Sequence, residues 1–429
     1  MKFPSSTLCL VAADVRRLKF TSIEASLVTS AATALLPLKP NHQNFMKTKA
    51  LLFFTVTAAV VGAATLHAAP FNSGSTGSYG AMNITSNVTL DIPLDGIFHC
   101  TTINVSTNGT LTFRPNALNT PVYLLAQSNV VINGTINLSG TAPVGGTPGQ
   151  GGPGGFDGGF GGFALAAGGD GKGPGGGINN PFRPNAAYAQ IPPSGTGSTN
   201  TYGNALLSPL IGGSGGAGGN GSPGGGGGGG GGAILIAANG VITVNGSILC
   251  NGGSGVGFFG GGGGGGGSGG GIRLVAPMVN GSGILQVNAG VLQGFAASLG
   301  RIRIDCEDRY AFRSLRLTGV ATRGAQMFVF PPYSPRLDIV EAGGQVIPAG
   351  TTNSVSFNLP PGPSTNIIVR VQATDFTNNI PIRVVVTPEN GSSTNYNATI
   401  DISQGNPAST NVTVTLPAGT ISTIHAWTR

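Results

Sequence analysis

Apolar residues alternate with variable ones in a short block that recurs along the body of the chain. The block occupies residues 122–126, 233–237 and 272–276 and, in shortened form, 302–304. Its first and third positions are apolar in every copy, whereas its second position varies from Tyr123 to Arg303. Such alternation is typical of a strand with one inward and one outward face. We therefore predict that the first residues of the four copies stack in one inward apolar column, namely Val122, Ala233, Ile272 and Ile302.

An Asn-Gly pair after the block forms a second recurring element. It stands at residues 133–134, 245–246 and 280–281, with a further copy upstream at 108–109. Asn-Gly tolerates left-handed backbone angles and turns the chain sharply, and it would equally close a two-residue hairpin. Because strand and turn recur together as one unit, stacked coils with a shared core are favoured over an antiparallel meander. We predict a parallel β-helix, that is a β-solenoid, over residues 70–335.

Two glycine-rich insertions interrupt the predicted coils. The larger spans about 140–232 and ends in nine consecutive glycines, and the smaller spans about 252–271 and contains eight. Polyglycine buries no side chains and loses much conformational entropy when it becomes ordered. We therefore expect flexible loops on the flank of the solenoid, with bundled polyglycine strands as the alternative.

Residues 336–429 contain less glycine, and their β-branched residues alternate with polar ones. We predict seven strands, near residues 337–340, 354–359, 367–373, 382–387, 396–402, 412–416 and 422–427. Short strands separated by Pro, Gly and Asn turns are typical of an immunoglobulin-like or fibronectin-like β-sandwich. The composition favours an all-β chain, because glycine contributes 76 residues and charged residues only 8%.

The clearest targeting signal begins at Met46. A basic stretch at 46–49 precedes an apolar stretch at 50–62 and a run of small residues at 63–69, which is the order of a secretory signal peptide. We interpret 46–69 as a signal peptide that exports the chain to the cell surface or the medium, and 1–45 as a leader from a mispredicted start. The alternatives are a transit peptide and an uncleaved N-terminal anchor. We expect contact with a membrane only if the segment is retained as such an anchor.

The net charge of +7 does not indicate a nucleic-acid partner, because most of it lies before residue 70. Residues 1–69 hold seven Lys or Arg against two acidic residues, so the rest of the chain carries 14 basic and 12 acidic side chains. A nearly neutral body does not capture polyanions by its overall field. One local group of arginines either contacts an anionic polysaccharide or lies solvated and partly paired. Its members are Arg301, Arg303, Arg309, Arg313, Arg316, Arg323 and Arg336.

Five segments of the body follow one another in an order that resembles a known family. They are residues 88–90, 102–105, 109–113, 130–136 and 232–236, the last preceded by a glycine tract. The order is similar to that of exported glycine-rich repeat proteins of environmental bacteria such as Verrucomicrobia and myxobacteria. The resemblance covers residues 88–304 and implies a parallel β-helix at the cell surface or outside the cell. It carries over no catalytic residue.

Acidic residues that would support catalysis or bind a cation are few in the body. Asp305, Glu307 and Asp308 form its one acidic cluster, with Arg303 nearby. Glycan-cleaving β-helices need two or three carboxylates that converge on one groove, often with Ca²⁺. We expect this cluster to be a solvated end cap, with a Ca²⁺ or catalytic role as the alternative.

The other reactive residue types form no recognisable site. His99 and His425 are isolated, and the glycine-lysine run at 169–173 lacks the Ser or Thr of a phosphate-binding loop. Cys100, Cys250 and Cys306 lack the spacing of a metal motif. We expect them to be buried apolar residues, with a Cys250–Cys306 disulfide as the alternative. The sequence therefore predicts no catalytic, cofactor-binding or metal-binding residue.

These features predict an exported structural or adhesive protein of the surface or matrix without catalytic activity. A rigid rod would bind polysaccharide or other cell-surface components through many weak contacts. Two other functions fit the same sequence. One is a carbohydrate-active β-helix enzyme, a polysaccharide lyase or hydrolase. The other is an ice-binding or surface-patterning solenoid whose rows of Thr and Asn order water. The sequence predicts no oligomeric state.

Overall fold

The chain folds into β-strands, as its composition predicts. The structure, a computed structural model, describes residues 6–10 and 70–429 except 117, 165, 180–183, 194–196, 258–261, 293, 331–334, 352–354, 360–363, 377 and 429. These residues contain no α-helix and two short 3-10 helices, Ala311–Ser314 and Ile402–Gln404. The predicted leader and signal peptide lie outside the described residues, apart from strand β1 (Ser6–Leu10).

The strands between Gly80 and Gly324 form two parallel sheets. They are β2 (Gly80–Ile84), β3 (Asn87–Asp91), β4 (Ile97–Val105), β5 (Thr110–Arg114), β6 (Val122–Ala126), β7 (Val130–Ile132), β8 (Thr135–Asn137), β9 (Ala233–Ala238), β10 (Val241–Val244), β11 (Ser247–Leu249), β12 (Gly271–Val275), β13 (Met278–Asn280), β14 (Ile284–Gln286), β15 (Val291–Leu292), β16 (Phe295–Ala296), β17 (Arg301–Asp305), β18 (Arg316–Thr318) and β19 (Val320–Gly324). β15 and β16 pair only with each other, in the antiparallel sense.

The strand order follows the course of a winding chain. The larger sheet has the order β13-β10-β7-β4-β6-β9-β12-β17-β19, with β2 also beside β4, and the smaller has the order β18-β14-β11-β8-β5-β3. Every pairing in both sheets is parallel. Each block of the repeat thus adds strands to both sheets in the same direction, an arrangement compatible with a β-solenoid.

Inward side chains of the two sheets form one apolar core that contains the predicted column. Val122 pairs with Ile234, Ile234 with Ile272 and Ile272 with Ile302, and all four are fully buried. The prediction was wrong by one residue in β9, because Ile234 and not Ala233 stands in this column. All six residues of β9 are buried, so the strand lacks the alternation that would reveal its register. Each buried Ile contributes about 1.5–3 kcal/mol.

The Asn-Gly turns stack on one another at a corner of the coils and close no hairpin. β7 and β8, which flank the turn at 133–134, belong to different sheets. Gly134 and Gly246 do not adopt positive φ, contrary to the role expected from the sequence, whereas Gly281 does, with a φ of 114°. Instead, an ideal Cβ at Gly246 would lie less than 3.0 Å from the carbonyl oxygen of Gly134. Glycine is required because the backbones of successive turns touch.

The glycine tracts are buried and hydrogen-bonded, so the expectation of flexible loops is wrong. All nine glycines at 224–232, the central glycine segment, are buried. Their N–H groups donate to three neighbouring segments in a period of three. Gly224, Gly227 and Gly230 donate to Gly162, Gly159 and Phe156; Gly225, Gly228 and Gly231 to Gly262, Gly265 and Ser268; and Gly226, Gly229 and Gly232 to Gly145, Thr141 and Leu138. An extended helix with three residues per turn and no internal hydrogen bonds directs its N–H groups in this way.

The carbonyl oxygens of the central glycine segment accept hydrogen bonds from three further segments. The donors are Gly213, Gly216 and Gly219 from one segment, Gly149 and Gly152 from the next, and Gly253 from a third; Gly271, at the end of the smaller tract, also donates to Gly232. An ideal Cβ at any of the nine glycines would lie less than 3.0 Å from another backbone. The structure therefore shows bundled polyglycine strands. We name the described residues of 140–177, 212–232 and 252–271 the glycine bundle.

Strands of the C-terminal part, together with β1, form two sheets around a second apolar core. They are β20 (Arg336–Ala342), β21 (Gln345–Val346), β22 (Val355–Leu359), β23 (Ser364–Thr374), β24 (Ile380–Pro388), β25 (Thr394–Ile400), β26 (Ala408–Pro417) and β27 (Ser422–Thr428). One sheet has the order β22-β1-β27-β24-β25 and the other β21-β20-β23-β26. All seven predicted strands are confirmed, and β21 is a short addition.

A third apolar cluster connects the glycine bundle, the larger parallel sheet and β27. The ring of Phe156 meets that of Trp427 edge-on, with centroids 5.7 Å apart, and Leu235 and Val275 belong to the same cluster. Residues 71–429 belong to one compact unit. All seven residues of β27 are buried, because the second core covers one face of this strand and the bundle covers the other.

Candidate functional site

The outward face of the smaller parallel sheet carries side chains in two regular columns. One column runs through Asn87, Thr110, Thr135, Ser247, Ile284 and Arg316, and the other through Thr89, Thr112, Asn137, Leu249, Gln286 and Thr318. We name these twelve residues the ladder face. Between the columns, Leu111, Ile136 and Ile248 point into the core and are fully buried. The strand alternation therefore directs both columns outward.

The ladder face is almost entirely uncharged and rich in hydrogen-bonding groups. Nine of its twelve residues carry a hydroxyl or an amide, and Arg316 is its one charged member. All twelve are exposed or half-exposed. Successive residues of a column lie about 4.8 Å apart, the spacing of neighbouring strands. The hydroxyls of Thr89 and Thr112 lie 2.7 Å apart and share a hydrogen bond. Because hydroxyls and amides donate and accept, this surface suits a hydroxyl-rich polymer or ordered water.

Asp305 is fully buried, so the prediction of a solvated acidic end cap was wrong for this residue, whereas Glu307 is exposed and Asp308 half-exposed. Its Oδ1 accepts from Nη2 of Arg303 at 2.6 Å and from the N–H of Gln326 at 3.0 Å. Its Oδ2 accepts from Nε and Nη2 of Arg273 at 3.3 Å. The strand ends at Asp305, and Glu307 is exposed beyond it. Both carboxylate oxygens are thus engaged by arginines, which leaves neither for a cation or for acid-base chemistry.

Arg273 is the largest fully buried side chain in the described residues. Its Nη2 donates to the carbonyl oxygens of Gln326 and Phe328, and its guanidinium lies 4.7 Å from the centroid of the Phe328 ring. Burial lowers the pKa of Arg273, an effect that Asp305 opposes. Outward positions of β12 therefore face protein rather than solvent, because the chain around Gln326 covers them.

The seven arginines between Arg301 and Arg336 do not form one patch. Arg303 is buried with Asp305, Arg301 donates to the carbonyl oxygens of Ala189 and Tyr202, and Arg336 pairs with Asp338. The exposed members are Arg309, Arg313, Arg316 and Arg323. Arg313 lies over the ring of Tyr310 and Arg323 over that of Phe312. Only these four are available to an anionic polysaccharide.

The two histidines of the body lie in different sheets. Nδ1 of His99, in β4, accepts the N–H of Thr76 at 3.2 Å. His425, in β27, is buried beside Trp427. The structure does not bring the histidines together, which agrees with the interpretation that they build no joint site.

The glycine-lysine run at 169–173 is part of the glycine bundle. An ideal Cβ at Gly171 would lie less than 3.0 Å from the carbonyl oxygen of Gly215, so close packing explains the glycine. Between these glycines, the carboxylate of Asp170 accepts the backbone N–H groups of Asn179 and Ser393. Asp170 thereby links the bundle to the turn between β24 and β25.

Cys100, Cys250 and Cys306 are free and buried, as expected from their spacing. Burial raises the pKa of Cys100 to about 12 and that of Cys306 to about 11. These thiols are therefore unreactive at neutral pH. The alternative of a Cys250–Cys306 disulfide was wrong.

Within the part of the chain that the structure describes, no group of His, Cys, Asp and Glu is suited to hold a metal ion. No helix in the same residues is long and apolar enough to cross a membrane. The chain matches no protein-family model, no curated protein and no solved structure. The ladder face and the surroundings of Asp170 and His425 are therefore the features on which a functional assignment rests.

Proposed function

We propose that the chain is an exported, non-catalytic structural or adhesive protein of the cell surface or extracellular matrix. Its body would be a parallel β-helix with glycine-rich insertions, followed by an immunoglobulin-like or fibronectin-like β-sandwich. Support comes from the parallel registers of β6, β9, β12 and β17 and from two sheets around the second core, whose strands pair antiparallel except for β1 with β27. The resemblance to exported glycine-rich repeat proteins favours the same class.

The observation that carries this proposal is the ladder face. Its five strand steps span about 24 Å, enough to lie along several sugar units of an extended polysaccharide. A single hydrogen bond contributes only about 0.5–1.5 kcal/mol. Repetition in register lets several weak contacts act together, which gives avidity without a deep pocket. The absence of carboxylates from the twelve residues favours a neutral glycan partner and binding rather than cleavage.

The glycine bundle and the β-helix would together form the rigid support for this surface. Backbone hydrogen bonds in three directions hold the central glycine segment, and the coils share one continuous core. A stiff surface loses little conformational entropy on binding. The two threonine-rich columns also suit ordered water, so ice binding is the second candidate function.

Export through residues 46–69 is part of the same proposal. Strand β1 precedes that segment and pairs with β22 and β27. Signal cleavage would remove β1 and leave β22 without this neighbour. This pairing counts against cleavage, and sequencing the N-terminus of the mature protein decides between removal and retention.

Retention on insoluble neutral polysaccharide tests the role of the ladder face. We expect the protein to co-sediment with cellulose or chitin, and the double variant Thr110→Glu/Thr135→Glu to bind at least about tenfold more weakly because adjacent charges must be desolvated on contact. Thr399→Glu, at an exposed position of β25, is the matched control and should bind normally. Equal retention of the double variant, or no retention of the wild type, would contradict the proposal. Thermal hysteresis that the double variant loses would favour ice binding instead.

A further inference from the structure

A cleft of about 120 Å³ lies between the glycine bundle and the sandwich. Residues of 170–178 line one side, and strands β24, β25 and β27 line the other. Its principal side chains are Asp170, Asn200, Arg383, Asn395, His425 and Trp427. The space holds several water molecules or the polar edge of one small molecule. The proposed adhesive function uses none of these residues.

Alternation along β27 explains why its aromatic residues line the cleft. Ile424 and Ala426 belong to the second core, so His425 and Trp427 point to the opposite face, toward the glycine bundle. Their rings are stacked with centroids 5.1 Å apart and planes tilted by 32°. The ring of Phe156, in the bundle, meets the indole edge-on. Both rings are therefore fixed in place before any ligand enters.

The side-chain nitrogens of His425 and Trp427 have no hydrogen-bond partner among the described residues. His425 is 3% exposed and Trp427 4% exposed. The polar atoms that lack both solvent contact and a hydrogen-bond partner do not include these nitrogens. Because the nitrogens lack a partner, they must be in contact with solvent, and the cleft is where they reach it. Water that reaches these nitrogens through the cleft can be replaced by a ligand hydroxyl, which donates and accepts hydrogen bonds in the same way.

The imidazole of His425 is neutral at physiological pH. Burial lowers the pKa of His425 to about 3, and the positive charge of Lys172 adds to the effect. A neutral imidazole offers one donor and one acceptor, and the indole of Trp427 offers one donor. A pair of adjacent hydroxyl groups, each of which donates and accepts, complements this set.

The charged groups at the cleft are already engaged. The carboxylate of Asp170 accepts two backbone N–H groups, from Asn179 and Ser393. Nε of Arg383 donates to the side-chain oxygen of Asn397 at 3.4 Å. One acidic and one basic side chain line the cleft, so it carries no strong net charge. This balance favours a neutral ligand over an ion.

We propose that this cleft binds a small neutral polyhydroxyl ligand, such as the terminal sugar unit of a glycan, through hydrogen bonds to His425 and Trp427. The cleft lies between the bundle and the sandwich and shares no residue with the ladder face. The proposal therefore goes beyond the adhesive function and does not rest on it.

Trp427 is the single tryptophan of the chain, so tryptophan emission, excited where tyrosine does not absorb, reports on this cleft alone. The full chain is titrated with D-glucose, D-galactose and N-acetyl-D-glucosamine. We expect a saturable change in emission for at least one sugar, with a dissociation constant of about 1–10 mM. His425→Phe keeps the ring stacking but removes both nitrogens, and it should weaken binding at least about tenfold. His425→Gln, which retains a donor and an acceptor, should weaken it less.

His99→Phe is the matched control, because it alters a histidine outside the cleft and should leave the titration unchanged. The proposal is overturned if no neutral sugar gives a saturable change, if only sodium glucuronate or arginine hydrochloride does, or if both His425 variants bind like the wild type. The emission maximum without ligand verifies that each variant is folded. The variant Thr110→Glu/Thr135→Glu of the ladder face should bind the sugars in this titration like the wild type. The titration therefore distinguishes a loss of polysaccharide retention from a loss of sugar binding at the cleft.

Discussion

Gly228→Ala is expected to lower the free energy of unfolding by about 3 kcal/mol or more. An ideal Cβ at Gly228 would lie less than 3.0 Å from the carbonyl oxygen and carbon of Gly253. The obstacle is the backbone of a neighbouring bundled segment, so no flexible side chain can move away. Overpacking of a dense interior typically costs about 1–3 kcal/mol, and rigid surroundings place this substitution at the upper end. Urea unfolding followed by circular dichroism measures the change.

Gly146→Ala is the matched control within the same bundle. Gly146 does not adopt positive φ, and the nearest atom to its ideal Cβ is the carbonyl oxygen of Gly224 at 3.3 Å. A shift of a few tenths of an ångström accommodates the methyl group, so we expect a loss below about 1 kcal/mol. If the two alanine variants are equally stable, the central glycine segment is not packed as the structure shows.

Asp305→Ala is expected to destabilise the protein by about 3–5 kcal/mol, because it leaves the guanidinium groups of Arg273 and Arg303 buried without their counter-ion. The side chains of Arg273 and Asp305 are 1% and 0% exposed, so solvent does not screen the loss. Urea unfolding again measures the effect. Asp305→Asn should also destabilise, since the amide keeps the shape of the carboxylate but removes its charge.

Asp91→Ala provides the contrast with an exposed ion pair. Asp91 pairs with Arg114 on the smaller sheet, and their side chains are 76% and 68% exposed. Such surface pairs contribute at most about 1 kcal/mol. A similar loss for Asp91→Ala and Asp305→Ala would mean that Asp305 is solvated, as the sequence alone had suggested.

Strands that bury one face were predictable from the sequence. In the C-terminal sheets, Ile382, Val384 and Val386 alternate with half-exposed or polar residues, and the seven strands were found near their predicted bounds. β9 shows the limit of this signal. Its outward face is covered by the insertion, both faces are apolar, and its register was therefore predicted one residue out.

The sequence predicts flexible loops where the glycine bundle lies, because polyglycine buries no side chains. Its order comes from backbone hydrogen bonds and close backbone contact, which glycine alone permits. A sequence signal was present in the segment 211–220, where Ser214, Ala217 and Asn220 stand at every third position among glycines. A period of three is that of an extended three-residue helix with one face that has room for side chains.

The environments of Asp305 and His425 could not be predicted from local sequence. Asp305 meets Arg273 from the preceding coil, and His425 faces a cleft whose other wall lies about 250 residues earlier in the chain. Both were expected to be solvated or isolated, because outward strand positions normally face water. Here the chain around Gln326 covers Asp305, and the larger insertion covers His425.

The central claim is that polyglycine is packed beside the parallel sheets. Amide hydrogen exchange across residues 224–238 is its most direct test. Every N–H group of the central glycine segment donates to another segment. Mass spectrometry should therefore find these amides protected as strongly as those of β9, and the amide of Gly344, in an exposed turn, should exchange freely. Exchange of residues 224–232 at the rate of an unstructured chain, with β9 still protected, would contradict the account.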